Sequence, residues 1–212
     1  MNPKNALVIA NGESCSTELL LELKKKAFLL VVLDSAIHRV LELGINPDVL
    51  LGDFDRNIDR QKLQELQPKM QIIHTPNQDK TDLEKAFEYL SAQNFTEINV
   101  IWATGRRADH TITNITNIVQ FRKLKITIID DYSNIFLLPY YFEKYYVSKT
   151  PISLIPVGKV CGIKTQNLKY PLDNEYLTIG YKTGSSNEVS EDGMVKINYQ
   201  TGDLLMMECK DR

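Results

Sequence analysis

The chain is poor in the features that mark several large classes of protein. Its three cysteines, Cys15, Cys161 and Cys209, lie far apart and show no CxxC spacing. An odd number of scattered cysteines argues against a disulfide framework and against a zinc site. The longest apolar run, residues 27–33, is too short to cross a membrane, and the N-terminus lacks the basic and apolar segments of a signal peptide. We therefore expect a cytoplasmic protein with no membrane partner.

The chain also lacks an excess of positive charge. It has 25 Lys and Arg residues against 27 Asp and Glu residues, so the formal net charge is −2. A nucleic-acid-binding protein is usually basic overall or carries a basic stripe, so we expect no nucleic-acid partner. The length of 212 residues, 43% of them hydrophobic, is enough for one large domain or two small ones.

The first part of the chain shows apolar runs that alternate with helical patterns. The predicted strands are residues 6–10, 28–33, 48–51, 71–74, 98–103 and 125–130. These runs have no polar alternation, which is typical of strands buried on both faces of a parallel sheet. Ligands of such sheets bind in the crevice beyond the carboxyl ends of the strands.

The pattern changes from residue 131 onward. The segments there are short, β-branched or aromatic, and separated by Gly, Pro and Asn, and none has a helical pattern. Such segments predict a small sandwich of antiparallel strands. The predicted fold class is therefore α/β, with an N-terminal parallel-sheet α/β domain (residues 1–130) followed by a C-terminal all-β sandwich domain (residues 131–212).

Two aspartates follow the third predicted strand. Asp53 and Asp55 are two residues apart, so in extended backbone their carboxylates point to the same side. Two neighbouring carboxylates repel each other unless a cation or a proton lies between them. The alternative is an ordinary turn, because Gly and Asp are common turn residues.

A second acidic cluster follows the fourth predicted strand. Asp79 and Asp82 lie at the N-terminus of a helix whose apolar residues recur at helical spacing. A helix N-terminus attracts phosphate, and carboxylate oxygens suit a hard cation. A structural alternative also exists: Thr81 and Glu84 fit a capping box, and Asp82 would complement the helix dipole.

The third cluster is a glycine-containing turn after the fifth predicted strand. Arg107 is placed there to bind phosphate through its planar guanidinium. Asp109 fits a helix N-cap equally well, and Arg106 with Arg107 could be a solvated pair. Because the three clusters follow three successive strands, together they predict magnesium-dependent phosphoryl-group chemistry.

Several motifs resemble the thiamine pyrophosphokinase family. They are, in order, "LLGDFD", "DKTDLEKA", "ATGRRADHTITNI" and "GSSNE", and residues 152–172 are similar to the C-terminal domain of that family. The resemblance implies a parallel α/β domain followed by a β-sandwich, in a homodimer. It also implies transfer of a pyrophosphoryl group from ATP to the hydroxyethyl oxygen of thiamine, with Mg²⁺ as cofactor and AMP as product.

The resemblance assigns roles to individual residues. Catalysis and magnesium binding are assigned to Asp53, Asp55, Asp79 and Asp82. Nucleotide binding is assigned to Thr81, Arg107 and Asp109, and thiamine binding to Asp34, Ser185, Ser186 and Asn187. Without the resemblance, the stretch around Ser185 would be interpreted as a polar hairpin loop.

The chain departs from the family pattern at a few positions. Ser35 and Ala36 replace two glycines after the second strand, where added Cβ atoms can block close approach of a ligand to the backbone. Arg56 replaces a serine, Arg106 replaces a glycine, and Lys80 replaces a frequent glutamine.

These departures leave two alternative functions open. One is a related magnesium-dependent pyrophosphokinase that acts on another alcohol, such as a hydroxymethylpterin. The other is a non-catalytic nucleotide or thiamine sensor. Four intact aspartates argue against the sensor, because clustered carboxylates cost stability in the absence of a metal.

Overall fold

A computed structural model of the chain describes residues 4–54 and 58–210. The chain divides into two compact units. The first contains the described residues up to Asn117 together with Lys123–Asp130, and the second contains Ile118–Arg122 and the described residues from Asp131 onward. The boundary between two domains at residues 130 and 131 stays a prediction. No helix in the described ranges is long and apolar enough to span a membrane.

In the first unit, strands and helices alternate as the sequence predicts. The strands are β1 (Asn5–Ile9), β2 (Leu29–Leu33), β3 (Val49–Gly52), β4 (Gln71–His74), β5 (Glu97–Ile101) and β6 (Lys125–Ile129). The helices are α1 (Thr17–Lys26), α2 (Ala36–Glu42), α3 (Arg60–Leu66), α4 (Asp82–Ala92) and α5 (Ala108–Asn117). Sequence analysis did not identify α3, which buries one residue, Leu63.

The six strands of this unit form a parallel sheet in the order β4-β3-β2-β1-β5-β6. Strand centres such as Val8, Val31 and Leu50 are fully buried, which explains the unbroken apolar runs. From β1 the chain proceeds outward to β4 and then returns to β5 on the other side of β1. The carboxyl ends of β1 and β5 are therefore a topological switch point, where open α/β sheets bind ligands.

The second unit is built from antiparallel strands and one short 3-10 helix (Ile118–Phe121). The strands are β7 (Ser133–Leu137), β8 (Tyr141–Tyr146), β9 (Pro151–Gln166), β10 (Glu175–Thr178), β11 (Gly184–Glu188), β12 (Gly193–Asn198) and β13 (Thr201–Cys209). The long strand β9 pairs with β10, β11 and β13 over most of its length and with β12 at its end. A strand shared between two layers in this way is typical of sandwich corners. The predicted fold class, parallel α/β followed by antiparallel β, is confirmed.

Glu208 on β13 connects three strands of the second unit. Its carboxylate accepts hydrogen bonds from Lys144 Nζ (2.6 Å) and Tyr146 Oη on β8, and from Asn134 Nδ2 (3.4 Å) on β7. Burial alone would raise the pKa of Glu208, but these donors more than offset it and hold the pKa below its usual value. The ionised form of Glu208 therefore stabilises this unit.

Glu208→Gln should lower the free energy of unfolding by about 1–3 kcal/mol at neutral pH, because the donors lose their charged acceptor. The folded-state pKa is depressed, so this stabilisation is present above the unfolded-state pKa of about 4.3 and is lost as the pH falls through the folded-state pKa. Urea unfolding of wild type and variant across this range should therefore show a difference that narrows in acid.

The matched control is Glu143→Gln. Glu143 also accepts from a tyrosine, Tyr141 (2.7 Å), and faces a lysine, Lys196 (4.0 Å), but the pair is exposed. Its replacement should cost less than about 1 kcal/mol. A Glu208→Gln effect that does not change with pH would contradict the role assigned to the carboxylate.

Candidate functional site

The carboxyl ends of the strands in the first unit surround a cleft of about 540 Å³. It lies at the switch point and includes residues that follow β1, β2, β3, β4 and β5. Five of the residues predicted from the sequence line it: Asp34, Asp53, Thr81, Asp82 and Arg107. The sheet topology therefore brings together side chains that are up to 73 positions apart in the chain (107 − 34).

Three carboxylates influence one another in this cleft. Burial raises the pKa of Asp82; Lys85 opposes that shift, and the charges of Asp53 and Asp34 add to it, so the net pKa is raised. The Oδ1 atom of Asp34 is buried and has no hydrogen-bond partner among the described residues. Concentrated negative charge and an unpaired carboxylate oxygen both fit a hard cation.

The set of metal ligands stays a prediction. Within residues 4–54 and 58–210, no group of three or more His, Cys, Asp or Glu side chains is arranged to hold a metal ion. Asp55, one of the four predicted ligands, lies outside the described residues, as does the departure Arg56. Asp79 is exposed and is not among the residues that line the cleft; its backbone N–H donates to Asn77 Oδ1 (2.8 Å).

Thr81 has the structural role that the sequence left open. Its side chain accepts from the Glu84 backbone N–H (3.3 Å), and Glu84 Oε2 accepts from the Thr81 backbone N–H (2.8 Å). This capping box fixes the start of α4. Thr81 therefore shapes the cleft by placing the N-terminus of α4 there, and a helix N-terminus favours an anionic ligand group.

Arg107 lines the cleft but is paired with Asp109. Its Nε and Nη2 atoms donate to the two carboxylate oxygens of Asp109. This pairing lowers the pKa of Asp109 to about 2. Asp109 is exposed and is not among the lining residues, so it acts on the cleft through the orientation of Arg107.

Lys85 is a cleft residue that sequence analysis missed. Its side chain is 5% exposed, and its Nζ donates to Asp82 Oδ1 (3.2 Å) and to the Thr75 carbonyl (3.0 Å). The signal available in the sequence was its position three residues after Asp82, on the same side of α4. Lys80, Arg106 and Arg107 add further positive charge to the cleft wall.

The turn after β1 was also missed as part of the site. The Gly12 backbone N–H donates to the Trp102 carbonyl, and the Glu13 N–H donates to the Thr104 carbonyl (2.8 Å). A Cβ atom on Gly12 would collide with both carbonyl oxygens. Asn11-Gly12 follows a strand as the acidic clusters do, so the same reasoning about strand ends would have identified it.

Arg39 on α2 connects this turn to the end of β5. Its guanidinium lies over the Trp102 ring, 4.4 Å from the centroid. It donates to Asn11 Oδ1 (3.0 Å), the Gly12 carbonyl (3.0 Å) and Ser14 Oγ (2.9 Å). No local sequence pattern indicates this role, because the partners lie 25 or more positions away.

The two glycine replacements have different consequences. Ala36 is fully buried in the core, so its methyl group does not reach the cleft. Ser35 has φ −67° and ψ −5°, an ordinary conformation for any residue, and it lines the cleft. Of the two side chains expected to hinder a ligand, only that of Ser35 changes the cleft surface.

The residues predicted to bind thiamine in the "GSSNE" stretch lie on β11 in the second unit. Ser185 and Ser186 are exposed, whereas Asn187 is 5% exposed. The Asn187 side chain accepts from the Tyr170 backbone N–H (3.0 Å) and donates to the Tyr170 carbonyl (2.8 Å). Asn187 therefore fixes the backbone at Tyr170, and the serines provide the exposed hydroxyl groups of this strand.

The first unit is thus an α/β unit whose switch-point cleft combines carboxylates with cationic side chains, at the place where open α/β sheets bind ligands. Residues 20–129 match the family model for the catalytic domain of thiamin pyrophosphokinase, and residues 141–204 match that for its vitamin B1 binding domain. The chain belongs to the thiamine pyrophosphokinase family.

Individual relatives agree with this assignment. The chain is 29% identical to thiamine pyrophosphokinase of Bacillus subtilis over 186 residues, which cover 84% of this chain and 86% of that protein. It is 26% identical to thiamin pyrophosphokinase 1 of Caenorhabditis elegans, over 78% of this chain and 73% of that one. The crystal structure of the Bacillus subtilis enzyme superposes with a TM-score of 0.80 at 25% identity, covering 99% of this chain and all of the other. The solved structure of thiamin pyrophosphokinase from Candida albicans, at 19% identity, supports the fold alone, with a TM-score of 0.83 over 99% of this chain and 90% of that one.

Lys85→Met should lower the free energy of unfolding by about 1–3 kcal/mol at neutral pH, because it leaves Asp82 and the Thr75 carbonyl without their buried donor. Lys80→Met is the matched control, since the ion pair of Lys80 with Glu88 is exposed and should be worth less than about 1 kcal/mol. Denaturant unfolding measures both values. Equal effects of the two substitutions would contradict the role assigned to Lys85.

Proposed function

We propose that the protein is a thiamine pyrophosphokinase, which transfers the terminal pyrophosphoryl group of ATP to the hydroxyethyl oxygen of thiamine. The products are thiamine diphosphate and AMP. The observation that carries the proposal is the cleft at the switch point, which is lined by Asp34, Asp53 and Asp82 and by Lys85 and Arg107, in a chain matched by both family models.

The cofactor in this proposal is Mg²⁺. Asp53 and Asp82 would hold it, together with Asp55 and, after a turn of its exposed loop, Asp79. The unpaired Asp34 oxygen and the raised pKa of Asp82, caused by burial, support a cation in this part of the cleft. When bound, the metal neutralises charge on the phosphoryl groups.

The side chains of the protein itself bind and orient the substrates. Lys80, Arg106 and Arg107 would attract the triphosphate, and the α4 N-terminus fixed by Thr81 would favour its anionic groups. One of the cleft carboxylates would orient the thiamine hydroxyl group and accept its proton. Thiamine is a cation, so a cleft rich in carboxylates also suits it electrostatically.

The assembly we propose is a cytoplasmic homodimer. In it, Ser185, Ser186 and Asn187 of one subunit complete the thiamine site on the sheet of the other. The family resemblance motivates this arrangement.

Asp82→Asn should reduce turnover by roughly two orders of magnitude or more, because a metal ligand and its charge are lost. AMP formation is measured with thiamine, with a hydroxymethylpterin and with no acceptor, over a range of magnesium concentrations. The control is Asp173→Asn, whose carboxylate is 92% exposed in the second unit. Near-normal turnover of Asp82→Asn with unchanged magnesium dependence would refute the metal assignment. If wild type forms AMP only with the pterin, the alternative substrate is favoured.

A mixture of two variants, each of which we expect to have little activity alone, tests the shared site. Subunits carrying Asp82→Asn are exchanged with subunits carrying Asn187→Ala, which releases the Tyr170 backbone. In mixed dimers one site has both intact contributions, so part of the activity should return. The activity of the mixture is compared with that of each variant alone, and sedimentation gives the oligomeric state. A monomeric wild type would contradict the proposal.

A further inference from the structure

Three polar side chains form a continuous hydrogen-bonded chain that ends at the cleft. Arg39 Nη2 donates to Asn11 Oδ1 (3.0 Å), and Asn11 Nδ2 donates to Ser35 Oγ (2.7 Å). Ser35 is a cleft residue. We call this the Arg39–Asn11–Ser35 chain.

The chemistry of Arg39 determines the direction of these hydrogen bonds. A guanidinium has donors and no acceptor, so the Asn11 oxygen must face it, and the orientation of the Asn11 amide follows. The amide nitrogen then faces Ser35 and has only hydrogens to offer. Ser35 Oγ is therefore an acceptor in this pair, and its own hydrogen remains available for another group. Among the residues that the structure describes, no other group bonds to this hydroxyl.

Arg39 and Asn11 are both held in place. Arg39 stacks on the Trp102 ring and also donates to Gly12 and Ser14. The backbone carbonyl of Asn11 accepts a hydrogen bond from Arg106 Nη1 (3.4 Å), which lies on the loop after β5. Several anchors thus oppose a rotation of Asn11 that would reverse the chain.

We propose that the Arg39–Asn11–Ser35 chain presents the Ser35 hydroxyl as a hydrogen-bond donor to an acceptor atom of the ligand in the cleft. Ser35 is thereby a specificity-determining residue, and Arg39 and Asn11 are positioning residues that act through it. The proposal rests on the proposed function for the identity of the ligands. The acceptor is a phosphate oxygen of ATP or a pyrimidine nitrogen of thiamine, both of which need a donor.

The test measures the binding of Mg-ATP and of thiamine separately, by calorimetry, to the full-length protein. Ser35→Ala removes the hydroxyl group and should weaken one of the two ligands by about three- to tenfold. Asn11→Asp keeps the acceptor for Arg39 but removes the donor to Ser35, so the serine hydroxyl must turn toward the introduced carboxylate and away from the ligand. This variant should weaken the same ligand.

The double variant separates this mechanism from a simple effect of charge. If Asn11→Asp acts through Ser35, it should have little further effect on that ligand in the Ser35→Ala background. A full additional loss would mean that the new negative charge acts directly, and would overturn the positioning role. Ser148→Ala is the control, because the Ser148 hydroxyl donates to the Ser190 carbonyl (3.0 Å) in the second unit. This variant should bind Mg-ATP and thiamine with the affinities of wild type.

Fluorescence of Trp102, the single tryptophan of the chain, reports whether the stacking with Arg39 is intact in each variant.

Equal binding of both ligands by Ser35→Ala and wild type overturns the inference even if wild type forms thiamine diphosphate. Binding that depends on Ser35 without turnover refutes the proposed function and leaves this inference standing. If wild type binds neither ligand, both are wrong.

Discussion

The cleft depends on the close contact between the turn after β1 and the end of β5. Gly12 lies against the carbonyl groups of Trp102 and Thr104, where no Cβ atom fits. Arg39 covers the other side of this contact by stacking on Trp102 and binding the Asn11–Ser14 turn. This contact forms one side of the cleft. The loops after β2, β3 and β4 carry Asp34, Asp53 and Asp82, which line the same cleft.

This arrangement costs local stability. Asp34, Trp102 and Arg106 have φ values of 42°, 57° and 55°, in the left-handed region that residues other than glycine rarely adopt. Each such residue costs about 1–3 kcal/mol, and such strain collects at functional sites. The like charges of Asp34, Asp53 and Asp82 add to the cost. In the second unit, by contrast, the partly buried carboxylate of Glu208 is surrounded by donors, as a structural role requires.

Much of the fold follows from the sequence because its signals are local. Unbroken apolar runs predicted all six parallel strands, and the capping box at Thr81 placed the start of α4 correctly. The acidic strand ends predicted where the cleft lies.

The contacts of Arg39 and Gly12 could not be predicted, because they join residues far apart in the chain. Two further features depend on backbone turns that composition does not specify. One is that Asp79 is exposed and does not line the cleft, and the other is that Asn187 is buried against Tyr170. The short α3 has too few apolar residues for a periodic signal.

The central claim is that the cleft transfers a pyrophosphoryl group rather than a single phosphoryl group. Phosphorus NMR of a reaction containing the protein, Mg²⁺, ATP and thiamine tests it directly, because it identifies both products. The account predicts AMP and thiamine diphosphate in equal amounts, with no ADP. Formation of ADP with thiamine monophosphate, or of AMP with free pyrophosphate and unchanged thiamine, would contradict it.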